Sequence, residues 1–121
     1  MDVWSNFDCT RHIDCVDVPR VARFWSELLG RKPTSRCRVG GGSVGRSESR
    51  PMLNFQPVPE PKQGKARVHM DFQADDLDAA IARVVELGGA TTGERHDYDE
   101  GSVVACTDPE GTEFCVVVYR R

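Results

Sequence analysis

The chain repeats itself, and that repeat limits the folds open to it. Arg67–Gly88 reads RVHMDFQADDLDAAIARVVELG. Val68, Met70 and Phe72 alternate with His69, Asp71 and Gln73, the period of a strand with one apolar and one polar face. Asp75 stands at an N-cap place, with Asp78 three residues on. Leu77, Ala80, Ile81, Val84 and Leu87 follow at helical spacing, and Gly88 closes the run. Near the start, His12-Ile13-Asp14 precedes Asp17, then Val18, Val21, Ala22, Trp25 and Leu28 at the same spacing, then Gly30. Each copy is His-x-Asp, capping Asp, amphipathic helix, Leu-Gly. The chain therefore consists of two strand–helix-led modules in tandem.

The first module spans about 7–57, a linker 58–65, and the second module about 66–121. A first strand is expected over Asp8–Val16, and Pro19 suits the first turn of the helix that Asp17 caps. Phe24 and Trp25 widen that helix's apolar stripe, so it must lie across a sheet. Thr34–Val39 is a weaker strand and Met52–Gln56 a better one. Gly40–Arg50 (GGGSVGRSESR) separates them, either as a lid over a pocket or as a plain solvated hairpin connection, the commoner outcome. The alternating prolines of Pro57–Lys65 favour a stiff, extended crossover. Ala90–Glu94, Ser102–Thr107 and Thr112–Arg120 complete the second module, with Asp108–Gly111 as a tight hairpin turn.

Charge and cysteines narrow the setting. With 121 residues the chain can bury one core, and a net charge of −3 leaves no basic footprint for nucleic acid. No apolar run approaches a membrane span, and the start lacks a signal peptide's apolar region. Five cysteines, odd in number and without CxxC spacing, read as reduced thiols of a cytoplasmic protein.

Alternation also sorts the faces. Each helix should cover the apolar face of its own strand, which places Ile13, Cys15, Val68, Met70, Phe72, Phe114, Val116 and Val118 beneath the helices. The other face carries Thr10, His12, Asp14, Asn54, Gln56, His69, Asp71, Glu113, Cys115 and Tyr119. A wet antiparallel face would explain such polarity. Two histidines, three carboxylates and a thiol converging there favour a ligand cleft. The expected fold is α+β: tandem βαβββ modules forming a cupped, mostly antiparallel sheet with helices on its outer face.

The paired His-x-Asp modules, the FWSELLG helix end, HMDFQADDLDAAIARVVELGG and the closing DPEGTEFCVV resemble the vicinal oxygen chelate superfamily. That superfamily includes glyoxalases, bleomycin-resistance proteins and extradiol dioxygenases, and the likeness is greatest to small glyoxalase-like domains. The resemblance spans Asp8–Tyr119 and implies a ligand site in the cupped sheet, usually in a homodimer. Metal-binding members place their four ligands on the first strand, the strand before the crossover, the start of the second module and the last strand. Carried over in register, those places fall on Thr10, Gln56, His69 and Cys115. His12 and Glu113 face the same way but lie about 6.6 Å off register along their strands. One ligand of four is kept, so no metal and no other cofactor is expected.

The expectation is thus a small-molecule-binding protein, either an enzyme on a small polar metabolite or a ligand-sequestering protein. His69 would be the acid/base, and Thr10, His12, Asn54, Gln56, Asp71, Glu113 and Cys115 would contact the ligand. Each has a plainer reading: His69 as a cavity histidine pinned by Asp71, Cys115 as a small hydrophobe, Glu113 as a tie for the turn. Arg36, Arg38, Arg46 and Arg50 would form an anion-binding rim or simply be solvated. An exposed sheet edge adds a homodimer to the expectation.

Overall fold

The computed structural model describes residues 11–34, 42–44 and 52–120, with 33–34 and 42–44 as backbone. The first module is β1 (Arg11–Cys15), α1 (Val18–Leu29), β2 (Pro33–Thr34), β3 (Gly42–Val44) and β4 (Leu53–Pro57). The second is β5 (Met70–Gln73), α2 (Leu77–Glu86), β6 (Ala90–Tyr98), β7 (Gly101–Thr107) and β8 (Glu113–Tyr119). Their sheets run β1-β4-β3-β2 and β5-β8-β7-β6. In each, the module's first strand pairs parallel with its last and the remaining pairs are antiparallel. The fold is α+β, and the repeat read from the sequence is a repeat of topology.

Local chemistry sets the helix ends. Asp17 caps α1 by accepting from Arg20 N–H at 3.2 Å, with Pro19 in the first turn. The second cap is Asp76, which accepts from Ala79 N–H at 3.1 Å, and not Asp75 as the spacing suggests. The reason lies upstream. Ala74 N–H still bonds Val117 O at 2.8 Å, so the chain leaves the ladder one residue later than its apolar pattern implies. Where α2 ends, Gly89 passes so close to β7 and α1 that a Cβ would lie 2.5 Å from Thr107 O and 3.0 Å from a Phe24 ring carbon. A side chain there would force the elements apart.

Both modules share one hydrophobic cluster. Ile13 and Cys15 of β1, Leu53 and Phe55 of β4, Val104 and Cys106 of β7, and Phe114 and Val116 of β8 are all buried. The expectation that each helix covers its own strand needs a correction for α1. Trp25 packs on Phe114 and Phe72 with ring centroids 4.7 and 5.4 Å away, and Phe24 reaches Phe114 at 6.2 Å. The first helix therefore seals the second sheet as well as lying along β2, β3 and β4.

Three further expectations change. Val68 is 87% exposed instead of lying beneath a helix, because β5 begins only at Met70 and no neighbouring strand among the described residues holds Val68. Within the Gly/Ser-rich stretch, Gly42–Val44 forms β3, ordered by pairing with Leu53–Phe55 of β4 instead of by apolar content of its own. β6 runs on to Tyr98, four residues beyond its expected end, and is exposed along its whole length. Most of the Gly40–Arg50 loop lies outside the described residues, as do Thr10 and the four candidate rim arginines.

Candidate functional site

On the face of the second sheet away from the helices lies a cleft of about 450 Å³. Its floor is set by register. Asp71 of β5 stands beside Cys115 of β8, Cys115 beside Ala105 of β7, and Val103 of β7 beside His96 of β6. One wall comes from the end of the crossover, with Lys65, Ala66 and His69. The other is the exposed strand β6, with Thr92, Glu94 and His96.

The polar groups there form two short networks. His69 Nδ1 is 3.0 Å from Asp71 Oδ1, and both side chains are about half exposed. Asp71 also takes the hydrogen of the Cys115 thiol. Burial first, and the Asp71 charge second, push that thiol above its ordinary pKa, so Cys115 is held protonated. Across the cleft, His96 Nε2 lies 3.3 Å from Glu94 Oε1. Two further cysteines are buried in the core. Burial pushes Cys15 up to about 12 and Cys106 up to about 11, and both are free thiols.

Glu113 lines the cleft but is engaged elsewhere. Lys62 Nζ is 2.6 Å from its Oε1, and Ala66 N–H donates to Oε2 at 2.8 Å. The Lys62 contact, helped by the Ala66 amide, holds this carboxyl below its usual range. Glu113 thus ties the crossover to the last strand. The turn before it is a tie of the same kind. Glu110 accepts from the N–H groups of Val16 and Asp17, at 2.7 Å each, fastening the β7–β8 turn to the start of α1.

The expected site residues fall into two groups. His69, Asp71, Glu113 and Cys115 come together. His12, Asn54 and Gln56 share the equivalent face of the first sheet, with His12 beside Asn54 and Asp14 beside Gln56, but none of them lines the His69 cleft. Thr10 lies outside the described residues. Sequence reasoning missed Thr92, Glu94 and His96, and took Lys65 for part of a solvated linker more readily than for a ligand contact. No apolar alternation marks Arg95–Tyr98, because both faces of this strand are exposed and a register shift falls between Thr91 and Arg95. A larger cleft, about 710 Å³, opens where the modules meet, bordered by Arg11, Arg31, Leu53, Asp71, Phe72 and Asp75 among others, with no imidazole or thiol among the described residues of its lining.

A metal site of the glyoxalase kind fits this donor set poorly. His69, Asp71 and Cys115 bring ligand atoms within 4.8 Å of one another. Yet the one carboxylate already holds both the imidazole and a protonated thiol. Gln56, the amide expected to stand in for a second carboxylate, is not among the cleft residues.

Residues 11–117 match the family described as "Glyoxalase-like domain". The chain is 30% identical over 108 residues to the anthracycline biosynthesis protein DauV of Streptomyces sp. (strain C5), covering 87% of this chain but only 38% of that protein's length. Among solved structures, a glyoxalase/bleomycin resistance protein/dioxygenase family enzyme from Burkholderia phytofirmans PsJN superposes with a TM-score of 0.74. It is 13% identical over 90% of this chain and 95% of its own. Lactoylglutathione lyase from Agrobacterium tumefaciens gives 0.64 at 17% identity, over 95% and 96% of the two chains. These likenesses carry the fold. The chain belongs to the glyoxalase-like domain family.

Proposed function

We propose that this protein is an enzyme acting on a small polar metabolite by proton transfer through His69, with no resident metal. The observation that carries the reading is the His69–Asp71 pair at 3.0 Å on the rim of a cleft. With Nδ1–H donating to Asp71, the lone pair of Nε2 is the one available for a substrate proton. Asp71 orients the ring and stabilises the imidazolium that forms when His69 takes a proton. The proton donor would be a substrate C–H or O–H made acidic by a neighbouring carbonyl. Returning that proton to the neighbouring atom of the enolate completes an isomerisation; handing it to a leaving group that departs from the β-carbon completes an elimination. Cys115, held protonated, serves as a hydrogen-bond donor and not as a nucleophile. The DauV relative, named for anthracycline biosynthesis, supports an organic small molecule as ligand. Free thiols at Cys15, Cys106 and Cys115 support a reducing, cytoplasmic setting.

A second reading, sequestration without turnover, gains from the tethering of Glu113, which takes the carboxylate on the last strand out of proton transfer. A thermal-shift screen of polar metabolites, with and without divalent metals and chelator, followed by turnover measurements on the hits, separates the two. His69→Gln should keep the ligand-induced shift and lose turnover by roughly 100-fold or more. A ligand that binds and is returned unchanged by the unmutated protein would favour sequestration, and full activity in the variant would remove His69 from the reaction.

A further inference from the structure

Strand β6 is built irregularly where it borders the cleft. From Thr91 to Arg95 it spends four residues against the two, Cys106 to Val104, of its partner β7. Ala105 therefore faces three residues, 92–94, where a regular ladder would offer one. Gly93 allows this with a φ of 84°, a backbone state that other residues rarely take. The Thr92 hydroxyl fills the broken ladder, donating to Ala105 O at 3.3 Å and accepting from Glu94 N–H at 3.2 Å. Thr92, Glu94 and His96 all line the cleft as a result.

His96 is then fixed on two sides. Its Nε2 meets Glu94 Oε1 at 3.3 Å, and Tyr98 stacks on its ring, centroids 6.2 Å apart and planes 25° from parallel. Glu94 also faces the cleft floor. After burial and Asp71, its charge is the remaining cause that lifts the Cys115 thiol. Two imidazole–carboxylate pairs thus flank one cleft, His69–Asp71 by the crossover and His96–Glu94 on β6, with β8 and β7 between them.

We propose that His96 is a second catalytic residue, the general acid opposite His69, and that the substrate is a carbonyl compound with an oxygen leaving group on its β-carbon. The inference rests on the His69 reading and narrows it to elimination. One base suffices to move a proton between neighbouring atoms of an enolate. A leaving group that departs on the far side of the substrate needs its own donor, and Glu113 is tethered to Lys62 and Ala66. With Nε2–H donating to Glu94, the imidazolium of His96 presents Nδ1–H to that oxygen. His69 Nε2 takes the α-proton, and the C–H electron pair becomes the new C=C bond. The Cβ–O pair leaves with the oxygen, which takes the Nδ1 proton and departs as an alcohol or water. His96 is left neutral and His69 protonated, and solvent restores both.

The probes are 4-methoxy-2-butanone, whose methoxy group leaves only with a proton, and 4-(4-nitrophenoxy)-2-butanone, whose nitrophenolate leaves without one. His96→Gln should slow methanol loss by about 100-fold or more and nitrophenolate loss by less than about tenfold. Glu94→Gln should repeat that selectivity more weakly, and His69→Gln should slow both probes alike. Both side chains of the His96–Glu94 pair are about half exposed, so their variants should melt within a few degrees of the parent. Equal slowing of the two probes by His96→Gln, or no slowing of either, would overturn the general acid and leave His69 standing. Selective slowing by His96→Gln alongside full activity of His69→Gln would remove His69 alone. No acceleration of either probe by the unmutated protein would overturn the elimination.

Discussion

The indole N–H of Trp25 donates to Oδ2 of Asp108 at 3.1 Å, in a place where both residues are buried. The bond joins the first helix to the turn between the last two strands, and the other oxygen of Asp108 is used within that turn. Oδ1 accepts from the N–H groups of Glu110 and Thr112, at 2.9 and 3.0 Å. With Glu110 holding the amides of Val16 and Asp17, the DPEG turn is a two-carboxylate clamp across the modules.

Trp25→Phe keeps most of the ring packing and removes the donor. Asp108 Oδ2 is then buried without its partner, a loss worth about 1–3 kcal/mol. Urea unfolding should show a lower midpoint with an unchanged slope, and an unchanged midpoint would mean the bond contributes nothing. Glu110→Ala is the companion variant. It breaks the same junction from the exposed side and should cost less.

The pH dependence of the clamp has a definite sign. Burial raises the Asp108 pKa above its ordinary 3.8, against the pull of the Trp25 and backbone hydrogen bonds. The folded state therefore binds its proton more tightly than the unfolded state. That contribution to stability is full below pH 3.8 and is lost as pH rises through the raised value. Glu113 runs the other way. Held low by Lys62, it adds stability above 4.5 that is lost as pH falls. Across pH 3 to 7, the unmutated protein should lose stability relative to Asp108→Asn as pH rises, and gain it relative to Glu113→Gln. Parallel curves for all three proteins would contradict both assignments.

The sequence revealed the repeat because each module spends its strongest signals on β1–α1 and β5–α2, where period-two and helical patterns stand side by side. Signals failed where burial does not follow the strand. Val68 continues the apolar alternation into a segment with no paired strand among the described residues, and β3 is a strand by virtue of its partner's register. β6 has no buried face, so nothing apolar marked its last four residues, and His96 went unplaced with them. The helix Trp25 belongs to was legible, but not its reach into the second sheet, since periodicity says which face is buried and not against what. Asp108 and Glu110 read as turn residues for the same reason. Their partners are more than 80 positions away in the chain.

Cys115 tests the electrostatics of the cleft directly. Its thiol is held above the ordinary range by burial and then by Asp71. Asp71→Asn removes the charge while keeping the shape, so the thiolate fraction should rise. Alkylation of the Cys115 peptide by iodoacetamide near neutral pH, followed by mass spectrometry, should be severalfold faster in the variant. An unchanged rate would mean burial alone sets the thiol's behaviour, and the pairing with Asp71 would lose its place in the site.

Association follows from the edge of the second sheet. β6 is its outer strand, nine residues long and exposed throughout, with one side paired to β7 and no partner on the other among the described residues. Such an edge invites another chain, and two charges pinned along it by Arg95 and Asp97 do little to blunt it. We expect a homodimer, seen as a doubled mass in sedimentation at micromolar concentration. A proline at Thr91 would weaken edge pairing and should shift the protein toward monomer. A monomer in the unmutated protein would refute the expectation.

The metal prediction turns on three atoms. A zinc-type ion held at 2.0–2.3 Å draws its donors to about 3.4–3.8 Å from one another. His69, Asp71 and Cys115 lie within 4.8 Å, near enough for modest movement to close the distance. The obstacle is charge and protonation. The ion would have to displace the imidazole N–H and the thiol proton from the same carboxylate, with one carboxylate and no second imidazole in the trio to repay its lost water. Purified protein should therefore carry well under one zinc, nickel or cobalt per chain by elemental analysis, and chelator should leave its melting temperature unchanged. One tightly held metal per chain, lost on Cys115→Ser and on Asp71→Asn, would show that these three residues exchange their protons for an ion, and the metal-free reading of His69 would have to be given up.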